Sequence, residues 1–325
     1  MADKLRNRGA LVELTGAILL LAGTLAIAPV PVFGQTPPGP EVCKNCHADY
    51  VESFLHSKHG QPGNRKGPAN NGGCVVCHEQ AAAHVAAGGG RGAGGMTSPR
   101  SKTIGADARS QICLNCHADN RHLAFWEQGR HKKNDIACSD CHVLHEMKAT
   151  TLRKDNPSIT PFVTTARQLQ YETCASCHRQ IRAQLSKPSH HPLLEGKLDC
   201  TSCHNPHGAL SPVMVKDETI NQLCTGCHAD KRGPHMNEHP PVEENCLSCH
   251  TPHGSLHNKL LNERVPNLCQ DCHDAARHPG TAYSGNQGFS NSTPNTRLVA
   301  RACLNCHTAI HGSNAPAMRG KFFLR

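Results

Sequence analysis

Residues 200–208 read Cys200-Thr-Ser-Cys203-His204-Asn-Pro-His207-Gly208, a C-x-x-C-H motif with a second histidine three residues behind it. Ten C-x-x-C-H motifs occur in the 325-residue chain, and together they use all 20 cysteines. Random placement of these residues predicts only about 0.1 such motif. The motif cysteines are Cys43, Cys46, Cys74, Cys77, Cys113, Cys116, Cys138, Cys141, Cys174, Cys177, Cys200, Cys203, Cys224, Cys227, Cys246, Cys249, Cys269, Cys272, Cys303 and Cys306.

The motif spacing suits covalent attachment of haem c. Two thiols three residues apart lie on one face of a helical turn, where they can form thioethers with the two vinyl groups of one haem, and the next histidine can bind the iron. Disulfides, redox dithiols and zinc ribbons also use C-x-x-C pairs, but none needs a histidine after every pair. The sequence predicts ten haem c groups with proximal ligands His47, His78, His117, His142, His178, His204, His228, His250, His273 and His307.

Candidate distal ligands follow a repeat of two motifs. In each of five repeats at least one histidine lies between the motifs, and another follows the second motif by three to six residues. A histidine three residues past a motif cannot easily reach over its own haem, so we expect it to bind a neighbour; the sequence leaves open which. The predicted distal ligands are the spacer histidines His59, His131, His191, His239 and His278 and the trailing histidines His84, His145, His207, His253 and His311.

Five histidines remain, and a lone histidine is as often solvated or packed as it is a ligand. His190 and His191 fit the spacing equally, but His191 precedes proline, as His239 and His278 do. Methionines could also act as sixth ligands, yet ten well-placed histidines leave no need for them. We therefore predict no ligand role for His56, His122, His190, His235 and His257.

Ligation by two histidines predicts electron transfer rather than catalysis. It points to low reduction potentials, because methionine as sixth ligand would raise them, and it leaves no open iron site for a substrate. No motif or distal position breaks this pattern, as a multihaem reductase would require.

The N-terminus reads as an export signal. Lys4, Arg6 and Arg8 precede an uncharged apolar run at residues 14–28, and we expect cleavage after Gly34. An uncleaved anchor is the alternative, but the run is short for a spanning helix. The predicted organisation is a signal peptide at 1–34 and a single domain at 35–325, with repeats at 43–84, 113–145, 174–207, 224–253 and 269–311.

The composition cannot supply an ordinary hydrophobic core. Aromatic residues make up 3% of the chain and there is one tryptophan, so haem itself must fill the interior. We expect a multihaem cytochrome c fold, with short α-helices in mostly irregular coil, an elongated linear haem array and essentially no β-sheet. Helices are predicted at 165–185, 219–229 and 266–276, and glycine-rich loops at 88–95 and 284–294.

The formal charge of +9 would by itself suggest nucleic acid or an anionic surface. Haem changes this balance, because ten haems with ionised propionates add roughly −10 to −20. We read the basic residues as propionate partners and exclude nucleic acid as a partner.

Several longer stretches resemble the MtrA/DmsE family of periplasmic decahaem c-type cytochromes, to which PioA also belongs. The most specific ones are residues 189–200, 200–208, 231–234 with 238–242, 246–255 and 311–325. The resemblance covers residues 41–325 and implies a periplasmic haem wire that inserts into an outer-membrane β-barrel protein and exchanges electrons with periplasmic and extracellular redox proteins. The alternatives are a diffusible periplasmic shuttle, a multihaem reductase and a filament-forming cytochrome.

Overall fold

The computed structural model describes residues 39–145, 166–273 and 303–324, and Pro37–Arg325 fall in one compact unit. The predicted signal peptide, the distal candidate His278 and the loop at 284–294 lie outside the described residues. No helix in the described ranges is long and apolar enough to cross a membrane.

Short helices connected by irregular chain make up the described part of the molecule. The longest has 17 residues and kinks at His47 (φ −124°, ψ 45°). The α-helices are α1 Pro40–His56, α2 Ala81–Ala86, α3 Ala106–His117, α4 Arg130–Lys133, α5 Cys138–Cys141, α6 Ala166–Ala175, α7 Arg179–Leu185, α8 Ile220–Thr225, α9 Pro240–Glu244, α10 Asn267–Gln270 and α11 Ala317–Lys321.

Nine 3₁₀ turns complete the regular structure of these residues. They are Pro68–Asn70, Gly73–Val76, Ala93–Gly95, Arg121–Leu123, Cys200–Ser202, Ala229–Lys231, Cys246–Ser248, Asn258–Leu260 and Cys303–Asn305. Within the described residues, extended chain pairs only in four isolated bridges. The expectation of short helices, irregular coil and no β-sheet is confirmed over the described ranges.

The two motifs of a repeat differ in local structure. The first motif of every repeat lies in or at the end of an α-helix, whereas the second forms a 3₁₀ turn in four repeats and the four-residue helix α5 in the other. In the third and fourth repeats the helix ends three residues before the motif histidine, at Ala175 and at Thr225, and both His178 (φ −84°, ψ 59°) and His228 (φ −93°, ψ 56°) lie outside the helical region. The helices predicted at 165–185 and 219–229 are therefore interrupted within the motifs.

The hydrophobic core is sparse. Its main cluster consists of Tyr171, Ala175 and Leu185, with three partly buried aliphatic residues packed against it. The described ranges bury only nine apolar residues in all. Burial on this scale cannot offset the conformational entropy of so long an irregular chain, which agrees with an interior built around another apolar component.

Candidate haem-binding sites

Each motif forms a closed turn. The backbone N–H of the motif histidine donates to the carbonyl of the first motif cysteine at 2.8–3.1 Å in eight motifs, those ending at His78, His142, His178, His204, His228, His250, His273 and His307. This bond holds both cysteines and the histidine on one turn, as attachment to a single haem requires. All twenty cysteines lie in the described ranges, and none forms a disulfide.

Nine motif histidines face a second histidine across a nearly constant gap, with ring centres 6.0–6.4 Å apart. The pairs are His47–His84, His59–His117, His78–His145, His131–His178, His142–His207, His191–His228, His204–His253, His239–His273 and His250–His311. None of these pairs includes the five histidines to which the sequence assigned no ligand role. The remaining distal candidate, His278, lies outside the described residues.

This gap fits an iron between the two rings. A metal–imidazole bond is about 2 Å long and the ring centre lies about 1 Å behind the nitrogen, so two axial histidines place their ring centres about 6 Å apart. Direct stacking of the rings would bring them closer. The residues present therefore fit a haem held by two histidines.

The pairs cross between repeats in a reciprocal way. At the junction of the third and fourth repeats, the spacer His191 faces His228 of the fourth repeat, and the trailing His253 faces His204 of the third. The other three junctions repeat this arrangement with His59–His117 and His78–His145, His131–His178 and His142–His207, and His239–His273 and His250–His311.

In the first of the five repeats, the histidine of the first motif faces a histidine of its own repeat. His47 faces His84, the trailing histidine of the same repeat. The glycine-rich segment behind His84 folds back, so that the Ala93 carbonyl lies 3.1 Å from His84 Nδ1. Six glycines in this segment have positive φ, and at Gly94 a side chain would collide with the backbone of Ala83.

Backbone carbonyls orient several of these rings. His131 Nδ1 lies 2.8 Å from the Pro206 carbonyl and His191 Nδ1 lies 2.7 Å from the Pro252 carbonyl. A donor bond from Nδ1 fixes the tautomer, so that Nε2 is left to bind a metal. The same bond occurs at motif histidines, namely His204 to Val213 (3.0 Å), His250 to Lys259 (2.8 Å) and His307 to Phe322 (2.7 Å).

At three of the junctions, the trailing histidine is followed by a glycine that lies close to the preceding repeat. Gly208, Gly254 and Gly312 all have positive φ, at +120°, +156° and +129°. A β-carbon on Gly254 would lie 2.0 Å from the Gln184 carbonyl oxygen, and one on Gly208 would lie 2.1 Å from that of Phe125. Only glycine lets the chain pass so close to the preceding repeat.

Backbone bridges lie beside two of these glycines. Ser189 pairs with Ser255, and Asn237 pairs with Ser313. In both bridges the first residue lies two positions before a spacer histidine and the second lies two positions after a trailing histidine. The pairing therefore aligns the two histidines that cross the junction.

Burial favours the neutral form of several paired imidazoles, and the neutral form is the one that binds metals. Burial, followed by the facing histidine, lowers the pKa of His59, His239 and His253. His190 contrasts with them: its pKa is raised by its bond to the Lys187 carbonyl and then by Glu195, whose carboxylate lies 3.1 Å from Nε2. Both ring nitrogens of His190 are thus occupied, while the neighbouring His191 faces His228.

Contacts between cysteines connect the motifs in sequence order. Within each repeat the first cysteines of the two motifs are close neighbours: Cys43–Cys74, Cys113–Cys138, Cys174–Cys200, Cys224–Cys246 and Cys269–Cys303. Between repeats the second cysteines are neighbours: Cys77–Cys116, Cys141–Cys177, Cys203–Cys227 and Cys249–Cys272.

In the unmodified chain, these neighbouring thiols affect one another's pKa values. Burial and then the Cys43 thiol raise the pKa of Cys74 to about 11, and burial and then Cys303 do the same for Cys269. These groups no longer titrate once they are thioethers. Motifs that follow one another in the sequence are therefore direct neighbours in the structure.

Comparison with known proteins agrees with this geometry. Residues 190–233 and 239–278 match the family model of the doubled CXXCH motif. The chain is also 37% identical over 293 residues to the multihaem cytochrome MtrA of Shewanella baltica (strain OS185), covering 89% of this chain and 82% of that protein. The chain belongs to the MtrA family of multihaem cytochromes. Membership of the MtrA family confirms the predicted family, the binding of haem c and electron transfer as the type of function.

Sequence reasoning missed the residues that position the motifs. Arg109 and Asp140 form a bidentate ion pair, with bonds of 2.8 and 3.1 Å, between the helix of the third motif and the turn of the fourth. The Arg109 guanidinium holds the pKa of Asp140 well below its usual range. No periodicity marks either residue. The glycine after the trailing histidine, in contrast, is visible as a repeated His-Gly in three repeats.

Proposed function

We propose that this chain carries ten haems with two histidine ligands each and conducts electrons between the periplasm and an outer-membrane porin–cytochrome complex. The observation that carries the proposal is the set of nine histidine pairs at a constant gap, joined by motif contacts that run without a break from the first motif to the tenth.

Ligand assignment follows from the ring pairs. The spacer histidine of one repeat binds the first iron of the next repeat, and the trailing histidine binds the second iron of the repeat before. The two ends use their own histidines: His84 binds the first iron, and His278, which no other repeat requires, is left for the tenth. Haem c supplies a one-electron Fe(III)/Fe(II) couple at each position.

The protein residues perform three tasks in this scheme. The thioether cysteines hold neighbouring haems against each other in sequence order. The axial histidines fill both coordination positions, which keeps substrates away from the iron. The backbone carbonyls at Pro206, Pro252 and Lys259 fix the imidazoles, so that the ligands are already in place when the oxidation state changes.

The barrel partner is proposed from the family relationship and from a physical constraint. An irregular chain cannot satisfy its backbone polar groups in lipid, and the described residues offer no spanning helix. To carry electrons across the outer membrane the chain must lie inside a closed protein wall, and β-barrels are the structures that provide one there. We therefore place the mature protein in the periplasm, associated with the outer membrane through a barrel.

Liposomes with a trapped redox dye test this proposal. The holoprotein is reconstituted with the barrel protein that co-purifies with it, and a membrane-impermeant reductant is added outside. The dye should bleach only when both proteins are present. Replacing Cys174 and Cys177 by alanine removes the fifth attachment site and should stop bleaching, because it interrupts the array in the middle.

The matched control is His257→Ala, which removes a histidine outside the ring pairs and should leave bleaching intact. Bleaching with the barrel alone would contradict the conduit, and so would unchanged bleaching by the double cysteine variant. If no barrel co-purifies and the cytochrome exchanges electrons rapidly in solution, the diffusible shuttle is the better description.

A further inference from the structure

The three central repeats each hold their two motifs together through a side chain about one helical turn before the first cysteine. Residues three or four positions apart lie on one face of a helix, so this side chain points the same way as the cysteine and reaches the turn of the second motif. The contacts are Arg109 to Asp140 (2.8 and 3.1 Å), Gln170 with Thr201 (3.1 and 3.2 Å), and Asn221, which accepts from the Cys246 backbone N–H (2.8 Å).

The contact in the second repeat is the charged one. The side chain of Arg109 is 5% exposed and that of Asp140 is 23% exposed. Lys102 adds a second cation 3.0 Å from Asp140, and its side chain is 76% exposed. The same carboxylate accepts from the Ala137 backbone N–H at 2.9 Å. The other two contacts carry no charge.

The carboxylate lies within the attachment turn itself, between Cys138 and Cys141. Arg109 precedes Cys113 by four residues, and Cys113 and Cys138 are close neighbours. A charge at this position therefore lies beside the attachment points of two haems. Charges that are withdrawn from water interact strongly with their surroundings, and the environment of a haem sets its reduction potential.

We propose that Arg109 and Asp140 are positioning residues of the second repeat: their ion pair holds the third and fourth motifs together, and its balanced charges set the reduction potentials of the two haems attached there. The inference rests on the proposed haem occupancy. An unbalanced carboxylate stabilises the ferric state, which carries one more positive charge, and lowers the potential. An unbalanced guanidinium acts in the opposite direction.

The test is a potentiometric titration of the purified holoprotein at low ionic strength, followed by haem absorbance. In Arg109→Gln the absorbance change of two of the ten haems should move to lower potential, and in Asp140→Asn it should move to higher potential. The double variant should return close to the wild-type curve, because the charge balance is restored. Gln170→Ala, the neutral counterpart in the third repeat, should leave the curve in place.

A purely structural role predicts a different outcome, since loosening the repeat would move both single variants in the same direction. Shifts of the same sign, or no shift in either variant, would overturn the proposal. If the buried pair cannot be changed without loss of protein, Lys102→Gln provides the readout: it leaves the bidentate pair intact and should shift the potential in the direction of Arg109→Gln by a smaller amount. An unchanged titration curve for Lys102→Gln would then reject the proposal.

Mass spectrometry of the same samples distinguishes a failure of the proposed charge effect from a failure of the proposed haem occupancy. A wild-type protein with fewer than ten haems contradicts the proposed occupancy, whatever the potentials do. Ten haems in every variant, together with shifts of one sign, reject the charge effect alone.

Discussion

Junctions within a repeat and junctions between repeats are built in different ways. Within a repeat, the contact between the motifs changes chemistry from an ion pair to an amide–hydroxyl contact to an amide–backbone contact. Between repeats, the arrangement recurs: crossed histidines, a carbonyl behind the spacer histidine at two junctions, and a glycine after the trailing one at three.

The difference follows from what each junction must hold. Under the proposed ligand scheme, the gap between two rings at a junction between repeats has to match one iron and its two bonds, which leaves little freedom in the backbone. Within a repeat, side chains only need to hold two turns together, and several kinds of hydrogen bond do so equally well. Variation is therefore expected where side chains make the junction, and constancy where coordination makes it.

Adding one carbon atom at a junction between repeats should have the largest effect on stability. Gly254→Ala places a β-carbon 2.0 Å from the Gln184 carbonyl oxygen and forces alanine to φ +156°. We expect the free energy of unfolding to fall by about 3 kcal/mol or more, measured by chemical denaturation of the holoprotein. Gly63→Ala is the control, because its β-carbon meets nothing within 4 Å; equal stability of the two variants would contradict the close approach.

Removing one crossed histidine should open one iron and leave the others unchanged. In His253→Ala, the haem attached at Cys200 and Cys203 should lose its sixth ligand, because His253 faces His204. Electron paramagnetic resonance should show one high-spin ferric centre among ten, and His145→Ala and His207→Ala should behave in the same way. His257→Ala and His56→Ala are matched controls; a high-spin signal in either would mean that the ligand assignment is wrong.

A neutral contact within a repeat should have a smaller effect. Gln170→Ala removes two hydrogen bonds to Thr201, and such bonds contribute about 1 kcal/mol each. Denaturation should therefore show a loss of about 2 kcal/mol with all haems still low-spin. A high-spin centre in this variant would show that junctions within a repeat also control coordination.

The smallest expected effect is a pH dependence at the charged contact. Because Arg109 holds the pKa of Asp140 below its usual range in the folded protein, the ion pair stabilises the protein above about pH 4 and loses that contribution as the pH falls further. The difference in the free energy of unfolding between wild type and Asp140→Asn should be constant between about pH 5 and about pH 7. It should shrink in acid; a difference that grows in acid would contradict the ion pair.

The sequence was sufficient for the haem motifs and for the kind of fold, because C-x-x-C-H carries its own chemistry and few apolar residues were left for a core. Which histidine faces which motif could not be read from it. The partner of His145 is His78, 67 positions earlier in the chain, and spacing along a chain does not report contacts over such a separation. The Arg109–Asp140 ion pair could not be predicted from the sequence either, since a single arginine and a single aspartate form no pattern.

The crossed histidines also determine how such a protein can change its length. At every inner junction, each of the two repeats supplies one histidine to the other. A whole repeat can therefore be inserted or deleted, and every iron of the proposed scheme still has two ligands. A half repeat cannot, because one iron would be left with a single ligand. Under the proposed ligand scheme the number of haems therefore grows in steps of two, and the first end, where His47 faces His84 of the same repeat, stays the same whatever the number of repeats behind it.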